Sequence, residues 1–155
     1  TPVPHVLLGS IPVSIYFCPE DECADKVIAQ INDAQHYIYF MTFSFTNTGI
    51  GDALLVARER GVEVRGVFEK TQLNDYTMYP VLLYQGADVR IDGNKGNMHH
   101  KVFIIDNSTV ITGSFNPTKG GDEKNDENMV VIKDKQIAAL FLKEFDYVAS
   151  LAHYE

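Results

Sequence analysis

Between residues 13 and 91 the chain switches repeatedly between two hydrophobic periods, and this alternation constrains its fold more than any other feature. Residues 13–17 are short and β-rich. Residues 25–36 then place Val27, Ile28, Ile31 and Ala34 at helical spacing. The near-continuous apolar run 37–45 suits a strand buried on both faces. A second helix is predicted over 49–60, with Ile50, Leu54, Leu55 and Ala57 on one stripe and Gly61 as its stop. Residues 62–68 read as a β-branched strand, 76–84 as a helix despite Pro80, and 87–91 as another short strand. This order predicts an α/β fold with a mixed, largely parallel β-sheet flanked by helices.

The second half has a different grammar. Residues 99–106 and 109–115 are predicted to form a hairpin around Asn107-Ser108, and 129–132 one more strand. Residues 135–151 form a long amphipathic helix whose stripe, Ile137, Leu140, Phe141, Phe145, Val148 and Leu151, reads as a core face. Residues 1–11, broken by Pro2 and Pro4, are expected to be a loose lead-in to a single domain over 1–155.

Apolar residues make up 45% of the chain, enough for a core without disulfides or a metal. No apolar run approaches the roughly 18 residues of a bilayer span, so stable membrane insertion by this segment is not expected. The formal net charge is −8, whereas domains that bind nucleic acid by bulk charge usually run basic. Any such contact must therefore come from a local patch. Cys18 and Cys23 favour one buried and one surface thiol, with a short-loop disulfide second and a metal or redox role last. The chain begins at Thr1 without Met, and the expectation leans toward an exported, periplasmic or membrane-tethered protein lacking its leading segment.

The chemistry is concentrated between residues 98 and 127. On a strand, His99 and Lys101 project to one face, and His100 and Asp106 to the other. A hairpin symmetric about Asn107-Ser108 pairs Asp106 with Thr109, Lys101 with Ser114 and His99 with Asn116. One patch then holds an imidazole, a cation, a hydroxyl and an amide. Those groups suit a phosphate: Lys101 neutralises an oxygen, Ser114 and Asn116 donate hydrogen bonds, and an imidazole can attack phosphorus or move protons. Glu127 is the candidate for holding the imidazole in one tautomer. No cofactor is implied, and the absence of a second His or a carboxylate cluster in the patch argues against a metal. His5, His36 and His153 lack a polar constellation, and His100 is expected to serve structure.

A lone His-x-Lys means little. The full pattern is His99-x-Lys101, four residues, Asp106, six residues, Gly113-Ser114-x-Asn116. Six positions at roughly one in twenty each give a chance match on the order of 10⁻⁶ for a chain this long. The segment resembles the signature of the phospholipase D superfamily, most closely its small single-motif endonuclease branch, the bacterial Nuc-type enzymes. Residues 13–19, Phe43-Ser44-Phe45-Thr46 and Glu127-Asn128 also sit where that branch places them. The resemblance implies a two-step, metal-independent displacement through a phosphohistidine, with two motifs facing each other. This chain carries one motif, so a homodimer is implied. In that scheme one His99 attacks, the partner's His99 protonates the leaving oxygen and then activates water, Lys101, Asn116 and Ser114 hold phosphate oxygens, and Glu127 orients His99. Asp106, on the opposite face, is assigned structural support.

Lys95 before the motif, and Lys119 and Lys124 after it, are expected to rim the site and contact substrate. Asp122, Glu123 and Asp126 share the second loop and weaken that footprint. DNA or RNA is the leading substrate class. A phospholipid or cardiolipin phosphodiester comes second, because neither rim loop, 93–97 or 118–126, carries a large apolar residue. A catalytically silent nucleic-acid-binding module comes third, because the motif is intact.

Overall fold

The computed structural model describes residues 3–154. Eight strands form one sheet: β1 (His5–Leu8), β2 (Ile11–Cys18), β3 (Tyr37–Thr42), β4 (Glu63–Phe68), β5 (Asp88–Ile91), β6 (Lys101–Ile105), β7 (Thr109–Gly113) and β8 (Glu127–Lys133). Their spatial order is β1-β2-β8-β7-β6-β3-β4-β5. Five helices accompany them: α1 (Cys23–Asp33), α2 (Thr48–Glu59), α3 (Tyr79–Tyr84), α4 (Lys119–Glu123) and α5 (Lys135–Leu151).

The mixed α/β sheet flanked by helices is the expected architecture, but its parallel part is small. Only β3–β4 and β4–β5 pair in parallel, and the other adjacent pairs are antiparallel. The cause lies in the connections. Helices α2 and α3 make the crossovers that parallel neighbours need, whereas β6 and β7 are joined by a tight turn.

Each face of the sheet buries its own cluster. On one side Phe40, Phe45, Phe68 and Phe103 pack with Ile31 of α1, Leu54 of α2 and Leu82 of α3. Phe40 meets Phe45 and Phe68 edge-on, at centroid distances of 5.7 and 5.5 Å. Gly66, opposite Phe40 in the ladder, makes room for that ring: a Cβ there would lie 2.1 Å from it. On the other side Met41, Val67, Val102, Ile104 and Val110 pack against Phe145 and Val148 of α5. Asp134 starts α5 by accepting from the amides of Gln136 and Ile137, and Asn47 caps α2 through the Ile50 amide.

Three local expectations are corrected. Residues 5–8, expected as part of a loose lead-in, form β1 against β2, because Gly9 at φ 64° turns the chain back. Helix α3 begins at Tyr79 rather than Tyr76, which puts Pro80 in the first turn, where its missing N–H costs nothing. Cys18 and Cys23 form a disulfide, with Cα atoms 5.7 Å apart, rather than standing as separate thiols. The turn between them is closed by bonds from the Asp21 amide to the Phe17 carbonyl and from the Phe17 amide to the Asp21 carboxylate.

Candidate active site

The strand directions bring the carboxyl ends of β3, β4, β5 and β7 and the amino ends of β6 and β8 to one edge of the sheet. The motif residues lie along that edge. Lys101 opens β6 opposite Thr42, and His99 sits just before the strand. The Lys101 ammonium bonds the His99 carbonyl at 2.8 Å and lies 3.1 Å from its Nδ1. Burial lowers the Lys101 pKa, and the Glu127 carboxylate acts against that shift. Ser114 donates to Glu127 and accepts from the Asn128 amide at 3.0 Å. His99 and Lys101 thus form one bonded pair and Ser114 and Glu127 another, with the Glu127 charge acting on Lys101. Asn116 lies two residues beyond Ser114, with its buried Oδ1 unpartnered.

The hairpin behind this group is not the symmetric one expected. Ile105 pairs with Thr109, Ile104 with Val110 and Phe103 with Ile111, so the register is slipped by one residue. Asp106, Asn107 and Ser108 make a three-residue turn, with Asp106 and Asn107 at φ 53° and 48°. Both residue types tolerate that left-handed region. A slip of one residue should turn Ser114 away from Lys101. Beyond the ladder, however, β7 ends in a bulge that re-aims the side chains after it: the amides of Ser114 and Phe115 both donate to the Asn128 carbonyl, at 3.0 and 3.3 Å. Gly113 permits this bulge. Its φ is 148°, and a Cβ there would lie 2.2 Å from the Asn128 oxygen.

Asp106 lies at the far end of β6 from His99. Its carboxylate accepts from the amides of Gln35, His36 and Tyr37, at 2.8, 2.8 and 3.0 Å, and so clamps the start of β3. Burial alone would raise its pKa, but those three bonds outweigh burial and lower it. His100 turns to the α5 side, with Nε2 3.4 Å from Glu144.

Glu127 is bonded to Ser114 and Asn125 rather than to His99, which the sequence reading had it orienting. His99 instead packs against Phe43 with its ring tilted at 56° and the centroids 4.3 Å apart, and the Lys101 ammonium lies 4.9 Å from the same ring's centre. Phe43 was named only as part of Phe43-Ser44-Phe45-Thr46 and given no role at the site, because it lies within the apolar run 37–45, which looked wholly buried. Its signal was its place one residue beyond the strand that pairs with the motif strand.

All three rim lysines are exposed, and Lys119 also faces Glu123 at 3.7 Å. The segment 119–123, read as loop, is α4. Its Asp122 accepts from the Ala24 amide at the start of α1 at 2.8 Å, which docks the rim to the body. Among the described residues no three His, Cys, Asp or Glu side chains converge as metal ligands would, and no helix is long and apolar enough to cross a membrane.

Comparison with known proteins gives the family and the fold. Residues 27–149 match the family described as "Cardiolipin synthase, PLD-like domain". The chain is 36% identical over 139 residues to a protein of Rickettsia conorii named "Phospholipase D", covering 89% of this chain and 70% of that one. It is 31% identical over 155 residues to the "Mitochondrial cardiolipin hydrolase" of Xenopus laevis, covering 94% and 72%. Among solved structures, the phospholipase D family member Nuc from Salmonella typhimurium superposes with a TM-score of 0.87 at 33% identity, over 93% of this chain and 97% of that one. The motif at the sheet edge, the family match over most of the chain and the shared fold together place this protein in the phospholipase D superfamily of phosphodiester hydrolases.

Proposed function

We propose that the protein is a metal-independent nuclease of broad sequence tolerance, cleaving DNA or RNA through a phosphohistidine in a homodimer. The observation that carries this reading is the two bonded pairs, His99 with Lys101 and Ser114 with Glu127, on an edge whose flanking loops, 93–97 and 118–126, present no large apolar side chain. Such a rim suits a polyanion better than a bilayer. In the first step His99 attacks phosphorus, and the partner subunit's His99 gives a proton to the leaving oxygen. In the second step that imidazole takes a proton from water, which then displaces the phosphoryl group from the first. Lys101 and Asn116, doubled by symmetry, stabilise the equatorial oxygens, and Ser114 assists. Glu127 acts on that hydroxyl and on the charge of Lys101. Lys95 and Lys124 are the rim contacts left free for phosphates. Exposed Phe17 and Leu140, 53% and 63% accessible, offer apolar surface for an isologous contact.

A lipid phosphodiester is the second reading, and the names of the Rickettsia and Xenopus relatives favour it. One experiment separates the two. Plasmid, single-stranded DNA, RNA, and phosphatidylcholine and cardiolipin vesicles are each incubated with the protein in excess EDTA. Cleavage of nucleic acid with intact lipid is expected. Headgroup release without strand cleavage would establish the lipid reading instead, and loss of activity in EDTA restored by Mg²⁺ would refute the phosphohistidine route.

A further inference from the structure

We propose that Glu69 is a positioning residue for His99: its buried carboxylate pins the backbone at Met98 and so sets where the next residue's imidazole stands. The inference rests on the reading of His99 as the nucleophile.

Glu69 follows β4 and is 0% exposed. A buried carboxylate is costly unless both oxygens are bonded. Its Oε1 accepts from the Thr71 amide at 2.9 Å, a local bond that starts the 3-10 turn Lys70–Gln72. Its Oε2 accepts from the Met98 amide at 2.7 Å, across 29 residues of sequence. The first bond would suffice for a turn cap. The second ties the end of β4 to the residue immediately before His99.

The segment that delivers His99 needs such a tie. Residues 92–100 run between β5 and β6 with no strand ladder. Their start is held by the Asp92 amide on the Phe68 carbonyl at 2.9 Å, and their end by the Phe43 amide on the His100 carbonyl at 2.8 Å. Between these points Met98 is anchored twice, by its buried side chain and by Glu69. Asp92, itself 1% exposed, faces Lys70 at 3.9 Å and braces the base of the same loop. His99 is exposed and touches Phe43 and Lys101, so its ring inherits its position from this anchored main chain. An in-line attack tolerates little error, and about 1 Å of misplacement costs about 100-fold in rate.

The test uses the full chain with Glu69→Gln, which keeps the shape but can accept only one of the two N–H bonds through oxygen. Turnover is measured on bis(4-nitrophenyl) phosphate and on a single-stranded oligonucleotide, beside His99→Ala as the baseline. The His99 ring signals and the Met98 amide exchange are followed by NMR. The expected result is a kcat lower by about 10- to 100-fold, KM within about twofold, retained cooperative melting, shifted His99 signals and slow Met98 exchange in the wild type. An unchanged kcat, or a loss that tracks only the unfolded fraction with unmoved His99 signals, would overturn the proposal. If Glu69→Gln does not fold, the wild-type exchange decides: a Met98 amide as fast as those of exposed Asn94 and Lys95 contradicts the pinning. A wild type that cleaves neither phosphodiester would defeat the nuclease reading, while the NMR arm would still decide Glu69.

Discussion

The two halves of the sheet are built by different rules. In β3, β4 and β5 the parallel strands are joined by helical crossovers, and apolar residues decide the fold through burial: Ile38, Phe40, Leu54 and Val89 are each 0% exposed. In β6, β7 and β8 the connections are a tight turn and a loop that carries the short α4, and single backbone devices decide where the motif side chains go. The Asp106-Asn107-Ser108 turn slips the register, and the bulge after Gly113 re-aims the chain at Ser114. The parallel half should therefore answer to volume changes, and the antiparallel half to changes at individual bonds. Predictions follow from that contrast, in falling order of size.

His99→Ala should abolish turnover, by about four orders of magnitude or more, with an unchanged melting curve. His100→Ala should retain most activity, since that ring faces Glu144 of α5. A dead His100→Ala beside a live His99→Ala would exchange their roles. Lys101→Ala or Asn116→Ala should lower kcat by about 10²- to 10³-fold, with less change in substrate affinity, because these groups are assigned to charge that grows in the transition state. A pure KM effect in steady-state kinetics would assign them to ground-state binding instead.

The direct contrast between halves is Leu54→Ala against Gly113→Ala. The first leaves a cavity worth about 2–5 kcal/mol of stability, and each folded molecule should remain fully active. The second drives a methyl into the Asn128 carbonyl and displaces Ser114, so activity per folded molecule should fall. Equal specific activities, measured on protein shown by circular dichroism to be folded, would erase the distinction.

Asp106→Asn should cost about 1 kcal/mol at neutral pH. The native carboxylate has a lowered pKa, so its contribution is fully present above the ordinary carboxylate range and is lost as pH falls through the folded value. Denaturant midpoints of wild type and Asp106→Asn should therefore converge on acidification. A constant gap between them would remove Asp106 from the acid response.

The contrast also explains how much was legible from the chain alone. Periodicity located most of the strands and the longer helices because burial writes itself into residue type at fixed spacing, as with Ile31, Leu54 and Phe145. The motif located the site because its residue types are chemically rare in combination. Register was not legible, since a two-residue and a three-residue turn at Asn107 use the same composition. Nor were contacts between elements: Phe43 under His99, Asp122 on the Ala24 amide and Glu69 on the Met98 amide join residues distant in sequence. The Cys18–Cys23 pairing depended on the fold of an intervening turn rather than on spacing.

The central claim is that one active site uses two copies of His99. In-line displacement places attacking and leaving groups on opposite sides of phosphorus, and this chain has a single His-x-Lys. Wild-type and His99→Ala subunits are mixed, dissociated and reassembled at fixed total concentration, and steady-state activity is plotted against the wild-type fraction. The account predicts a fall as the square of that fraction, because a heterodimer stalls or is inert. A linear fall, or full activity in a monomer at high dilution, would show each chain to be self-sufficient and contradict it.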